Sequence, residues 1–341
     1  MPARMKDIAQ RLGVSVVTVS KALRGFPGPS AETRARVLSL AKELNYGPNL
    51  AARALVSGRT YSVGLVIPDL VHPFFAQIAK SISAVLYPRG YSLIVSSSEE
   101  NPEMEKRAVE QMVARSVDGL LIASTQRSSD ILRWVEEHSI PYVLVDRKFD
   151  GLEANFVGVD DVRVGALATE HLIEMGCQRI AHIGGGRISS ANGRRLGYEQ
   201  TLAQHGLPLH AEYELLEELM EKPADAVGHK AARQLLSLEP RPDAIFCYND
   251  PVAMAAMVAC LEAGLRIPED VAVVGCGNSP YDDYLRVPLT SIDQKSDAIG
   301  QRAADLALRL IESSGPMAPE SFLLAPDVVV RKSSQRRLRP V

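Results

Sequence analysis

The chain has 341 residues, 46% apolar and 23% charged, a balance that excludes a disordered or collagen-like protein. At roughly 100–200 residues per domain, this length predicts two or three domains. The net charge of −3 taken whole speaks against nucleic acid, but its distribution does not. Residues 1–60 hold ten Lys/Arg and three Asp/Glu, leaving +7, and residues 61–341 hold 28 and 38, leaving −10. A basic segment joined to an acidic remainder points to a polyanion-binding module attached to something else.

The four cysteines, Cys177, Cys247, Cys260 and Cys276, form no C-x-x-C pair and read as small buried hydrophobes. A polar stretch follows Met1, with no secretory signal, and no apolar run approaches the ~20 residues of a membrane span. The expected compartment is cytoplasmic.

In chain order, residues 5–12 (MKDIAQRL) place Ile8, Ala9 and Leu12 on one helical face, and Gly13 ends that helix where left-handed backbone is cheap. Ser15 is a good cap for a second helix, 16–23, which Gly25, Pro27, Gly28 and Pro29 terminate. Ser30 caps a third helix over 31–44, with Val37, Leu40, Ala41 and Leu44 as its apolar stripe. Two short helices joined by a tight turn and packed by a third form the helix-turn-helix plan. Val14, Val19, Ala22 and Leu23 already supply an inward face, so Val16 and Val17 are left for thymine methyls and Lys21 for guanine or a phosphate. Pro48 and Gly58 then bracket a helix too short to be stable alone.

The runs MKDIAQRLGVSVVTVSKALRG and ETRARVLSLAKELNYGPNLAARAL resemble the DNA-binding headpiece of the LacI/GalR family of bacterial transcription regulators. The resemblance implies that Val16, Val17 and Lys21 read bases and that Ser15, Thr18 and Ser20 contact phosphates. It also implies a hinge helix that pairs with its twin in the minor groove. There Ala52 and Arg53 face the groove, and Leu55 wedges into the central base step.

From residue 61 the pattern alternates short apolar runs with amphipathic stretches. Strands are predicted at 62–67, 92–96, 119–123, 142–145, 156–159, 180–183, 244–247 and 271–275. Helices are predicted at 75–88, 103–115, 129–138, 163–175, 194–205, 224–238, 250–264 and 296–312. Apolar strands separated by helices mean parallel sheets covered on both faces, with ligands outside the strands' carboxyl ends. The fold class is therefore α/β: an all-α helix-turn-helix headpiece (1–46), a hinge (47–60) and a core (61–341) of two doubly wound parallel-sheet lobes. The expected lobes are about 61–158 with 292–322, and about 159–291 with 323–341.

At the predicted strand ends, Pro68–Phe75 offers a polar ring and two aromatics, Asp146-Arg147 a carboxylate beside a guanidinium, and Asn249-Asp250 a helix cap. Core-packed phenylalanines, an internal salt bridge and a plain cap are the alternative readings of these groups. VGLVIPDLVHPFF, VGVDDVRVGALATEHL, DAIFCYNDPVAMAAM and PLTSIDQ resemble the periplasmic-binding-protein-like core of the same family, in the same order. That resemblance implies an effector cleft using His72, Phe74, Phe75, Asp146, Arg147, Arg194, Asn249 and Gln294.

Two positions depart from the family pattern. Cys276-Gly277-Asn278 stands where an aromatic and a sugar-binding aspartate are usual, and Pro223 falls near the usual closing aromatic. A standard hexose is thereby put in doubt, and Asn278 becomes a candidate contact.

Gly184-Gly-Gly186 matches no phosphate-loop motif, and the seven histidines lack metal-ligand spacing. No nucleophile elbow occurs, so neither a metal, a cofactor nor an enzyme activity is expected. The reading is a homodimeric repressor that binds a pseudo-palindromic operator and a small, sugar-like effector. A sugar-binding receptor without DNA regulation is the alternative, and an enzyme on the same scaffold is a third.

Overall fold

A computed structural model describes residues 3–23, 25–46, 58–186, 188–216 and 224–336. The chain divides into two compact units, Met1–Thr60 and Tyr61–Val341.

In the first unit, helices α1 (Met5–Leu12), α2 (Val16–Leu23) and α3 (Ala31–Glu43) close on Ile8, Ala9, Val19, Ala22, Val37 and Ala41. Gly13 ends α1 in the left-handed region at φ 67°, turning the chain toward α2. Ser15 Oγ accepts from the Thr18 N–H at 3.0 Å, and Ser30 Oγ accepts from Thr33 N–H at 3.2 Å, so each following helix has a side-chain cap.

Among the described residues, the second unit holds two six-stranded sheets. Strands β1 (Ser62–Ile67), β2 (Ser92–Ser97), β3 (Gly119–Ile122), β4 (Tyr142–Val145) and β5 (Phe156–Val159) join β11 (Ser321–Leu324) in the order β11-β5-β4-β3-β1-β2, all parallel. Strands β6 (Ile180–Gly184), β7 (Glu214–Leu216), β8 (Ala244–Cys247), β9 (Ala272–Cys276), β10 (Thr290–Asp293) and β12 (Asp327–Val329) follow the order β12-β10-β9-β8-β6-β7. This second sheet is parallel except at its β12 edge, where Ser291 faces Val329 in antiparallel register.

The intervening helices are α4 (Pro73–Leu86), α5 (Pro102–Ala114), α6 (Asp130–Glu137), α7 (Asp161–Glu174), α8 (Ser189–Gln204), α9 (Ala224–Leu236), α10 (Asp250–Glu262) and α11 (Ser296–Glu312). Strands such as β3 and β4 are buried along their length, as sheets covered on both faces require.

The chain passes between the sheets three times: after β5, between β10 and α11, and between β11 and β12. The second and third passages fall slightly later than the expected 292 and 322, because β10 runs to Asp293 and β11 to Leu324. Strands β7, β10, β11 and β12 were absent from the sequence prediction. Each is three or four residues long, and β11 alternates half-buried with exposed positions. Helix α8 starts at Ser189, five residues before the predicted 194, so Arg194 lies within the helix and not at its start.

Candidate functional site

In the first unit, α2 presents Val17 at 64% and Val16 at 42% exposure while Val19 and Ala22 are buried. Water gains nothing from two exposed β-branched side chains on a helix whose opposite face is already packed. Lys21 is exposed with its stem beside Gly28, Ser15 Oγ lies 2.8 Å from Thr18 Oγ1, and Ser20 is half-buried. Ala52, Arg53 and Leu55 lie outside the described residues.

In the second unit, the carboxyl ends of β1, β4, β8 and β9, the β10–α11 passage and helix α8 gather the other predicted residues. Asp146 follows β4 in left-handed backbone at φ 64°, and Gln294 Nε2 donates to its Oδ1 at 3.5 Å. Arg147 is buried and donates through both terminal nitrogens to Glu100, at 2.6 and 2.8 Å. Among the described residues its Nε has no hydrogen-bond partner, and it lies 3.8 Å from Asp146 Oδ2.

Arg194, 2% exposed, donates from Nε to Asp161 Oδ1 at 3.0 Å and from Nη1 to the Tyr248 carbonyl at 2.8 Å, with its guanidinium over the Tyr248 ring. Asn249 caps α10, its Oδ1 accepting from Val252 N–H at 2.9 Å. The cap reading of Asn249 is therefore realised.

His72 caps α4: Nδ1 accepts from Phe74 N–H at 3.3 Å, and burial holds the ring's pKa down at about 4. The ring is thus neutral at neutral pH, with its proton on Nε2. Phe74 and Phe75 are both 5% exposed and pack edge-on, 5.2 Å apart. Both belong to the core; Arg147 lies 5.8 Å above the Phe75 ring, and Phe74 also lines a cavity.

Burial sets the charges of this cluster. It pushes Asp146 up against the pull of Arg194 and Arg147, and pushes Asp161 up to about 6. Burial would raise Glu100 as well, but the Arg147 guanidinium beside it holds that carboxyl below its usual range.

Among the described residues, two cavities open beside this cluster. One of about 390 Å³ is lined by Phe74, Gln77, Gly277, Asn278, Lys295 and Asp297, among others. Another of about 220 Å³ is lined by Ser124, Arg127, Arg147, Lys148, Ser189 and Asn192, among others. Asn278 reaches the first cavity, but its Oδ1 already accepts from Arg331 Nη2 at 2.9 Å and its N–H donates to Ser291 Oγ. Its side chain anchors the loop as well as facing the space. The position near Pro223 lies outside the described residues.

Sequence reasoning missed three neighbours, Glu100, Asp161 and Tyr248, and read Asp250 only as part of a helix cap. Asp161 and Asp250 sit in the first turns of α7 and α10, where an acid reads as helix-dipole stabilisation. Asp250 accepts from Ser291 Oγ at 2.6 Å and Ser279 N–H at 2.9 Å, fixing the loop that carries Asn278. Among the described residues, no group of acids, histidines and cysteines is arranged to hold a metal ion, and no helix is long and apolar enough to cross a membrane.

Residues 4–49 match the family described as bacterial regulatory proteins, lacI family, and residues 60–323 match periplasmic binding proteins and sugar binding domain of LacI family. The chain is 34% identical over 337 residues to the HTH-type transcriptional repressor PurR of Haemophilus influenzae (strain PittEE), covering 97% of this chain and 98% of that one. It is 32% identical over 339 residues to PurR of Pasteurella multocida (strain Pm70), covering 98% and 100%. Among solved structures, the lac repressor dimer bound to operator and the anti-inducer ONPF aligns with a TM-score of 0.86 at 28% identity, over 98% of this chain and 100% of that one. The transcriptional regulator CelR–cellobiose complex aligns at 0.73 and 29% identity, over 97% and 99%. With residues 4–49 and 60–323 both matched, and relatives 34% identical aligned over nearly the whole chain, the chain belongs to the LacI family of bacterial regulatory proteins.

Proposed function

We propose that the chain is a dimeric transcription repressor of the cytoplasm, whose grip on a pseudo-palindromic operator is set by a small polar effector in the interlobe cleft. Two-fold protein symmetry matches a two-fold site. In this reading Val16, Val17 and Lys21 meet base edges, Ser15, Thr18 and Ser20 meet phosphates, and Ala52, Arg53 and Leu55 enter the minor groove. The effector, a sugar or sugar derivative, meets His72, Phe74, Asp146, Arg147, Arg194, Asn249, Asn278 and Gln294, with Phe75 supporting them from the core.

The observation that carries the cleft assignment is the convergence of Asp146, Arg194, Asn249 and Gln294. All are at most 5% exposed, and they come from both lobes and the passage between them. A ligand held by groups from both lobes binds one interlobe angle better than another, which is the differential affinity a switch requires.

The test is a thermal-shift screen of the full chain against sugars, polyols, sugar phosphates and nucleosides. A native-state ligand raises the midpoint. The expected result is stabilisation by one compound class and a changed affinity for DNA with that compound present. A compound that stabilises the protein while leaving its DNA affinity untouched would favour the sugar-binding receptor instead.

A further inference from the structure

The two cavities differ in charge. The larger one carries Asp293 and Asp297 against a single Lys295, whose Nζ already pairs with Asp293 at 2.9 Å and Asp327 at 2.6 Å. Among the described residues, the smaller one is lined by Arg127, Arg147 and Lys148 against the single acid Asp150, with Arg147 also paired to Glu100. The carboxylates behind its wall are engaged: Glu100 by Arg147 and Asp161 by Arg194. Burial raises Asp161, and the charges of Arg194 and, more weakly, Lys148 pull it back down.

Among the described residues, the Nε of the buried Arg147 has no hydrogen-bond partner and has the Asp146 carboxylate 3.8 Å away, beyond hydrogen-bond reach. Such a group costs free energy until an acceptor reaches it. Helix α8 adds its positive end at the same wall: its cap residue, Ile188, has no side chain able to accept from the first-turn N–H groups, and Ile188 and Ser189 both line the cavity. Its volume of about 220 Å³ is over ten times the roughly 10–15 Å³ that one water requires.

We propose that the effector carries a compact oxyanion, a phosphate or a carboxylate, and that this smaller cavity receives it. The inference rests on the reading of the cleft as the effector site. Arg127, Arg147 and Lys148 belong to the first lobe, and Ser189 and Asn192 begin α8 of the second. The Lys148 N–H already donates across the cleft to Ser189 Oγ at 3.0 Å. An anion placed there draws two positively polarised walls together, so its charge acts on the interlobe angle and not on affinity alone.

The experiment is calorimetric titration of the full chain with ribose, ribose 5-phosphate, glucose, glucose 6-phosphate, glucuronate and inorganic phosphate, repeated on Lys148→Ala. Lys148 is exposed, and its backbone N–H survives the change. The expected result is that a phosphorylated or acidic sugar binds at least tenfold tighter than its neutral parent. Inorganic phosphate should compete with it, and Lys148→Ala should remove most of that ratio while moving the parent less than twofold. Preference for the phosphates over glucuronate identifies a phosphate, and the reverse a carboxylate. Neutral sugars binding as tightly as charged ones, or Lys148→Ala weakening both alike, would overturn the anion inference and leave the cleft reading standing. Thermal stabilisation by neutral nucleosides or polyols with no response to any member of this set would also overturn it. Failure of every compound in both panels would count against the cleft reading itself.

Discussion

Arg194 joins a helix, a strand end and a carboxylate in one buried position, 3.0 Å from Asp161 and 2.8 Å from the Tyr248 carbonyl. Removing one member of a buried pair leaves the other charge uncompensated, at about 3–5 kcal/mol. Arg194→Ala should therefore lose stability on that scale in urea unfolding, besides losing effector affinity. Unchanged stability would show that the pair is not formed.

His182 offers a separate test through pH. It is fully buried in β6, with Nδ1 3.1 Å from the Phe246 carbonyl oxygen, and burial holds its pKa down at about 4 from 6.5. Because the unfolded ring takes up a proton first, stability falls as pH drops from about 6.5 toward 4. Asp161 works the other way: burial raises that carboxyl from 3.8 to about 6, so its contribution is present at low pH and lost as pH rises through about 6. The two groups oppose each other, and only a difference measurement separates them. Between pH 7 and pH 5, wild type should lose about 2 kcal/mol more than His182→Leu, from the linkage of that single group. Parallel pH profiles for the two proteins would refute the assignment.

At this scale the sequence was legible where chemistry sits at a strand end, as with Asp146, Arg147 and Asn249. It was not legible for Glu100 and Asp161, whose partners are 47 and 33 positions away and are brought near only by the sheet order.

The helices were the most readable elements, because an apolar stripe repeats over several turns while a strand of three residues gives no period to count. Strands β7 and β12 lie at sheet edges, and β10 carries Thr290, Ser291 and Asp293, so none presents the apolar run that marks β1 or β9. The antiparallel β12 was beyond reach for the same reason: its direction follows from the third passage between sheets and not from its own residues.

Helix packing at the cleft has a sequence mark that periodicity alone passes over, namely Gly165 in α7 and Gly197 in α8. A Cβ on Gly197 would lie 2.0 Å from the Val162 carbonyl oxygen, and one on Gly165 would lie 1.9 Å from that of Arg194. Backbone cannot yield as a side chain does, so Gly197→Ala should cost about 3 kcal/mol, the upper end for overpacking, and should separate Arg194 from Asp161. Urea unfolding checks the cost, and a loss within ±0.5 kcal/mol would mean the helices are not in close contact. In the headpiece, Ser15→Ala removes the cap of α2 and should cost about 1 kcal/mol in the full chain.

Over the whole molecule, the charge division of +7 and −10 coincides with the two compact units, Met1–Thr60 and Tyr61–Val341. The basic unit is the part that reads DNA in this family, and phosphate contacts make such binding fall steeply with salt. Linkage adds a constraint on the sensing unit. Whatever factor the effector imposes on operator affinity, the operator must impose on effector affinity. Titrations of effector with and without operator, and of operator with and without effector, should give the same factor within error.

Electrostatics alone is sequence-blind, whereas two α2 helices held by a two-fold dimer read a symmetric site. The most direct measurement is selection of bound duplexes from a random-sequence library by the full chain at ~150 mM salt, followed by sequencing. The account predicts enrichment of an inverted repeat with two matching half-sites, lost when Val17→Asp alters the exposed face of α2. Bound pools with no enriched sequence, or enrichment indifferent to that change, would contradict it.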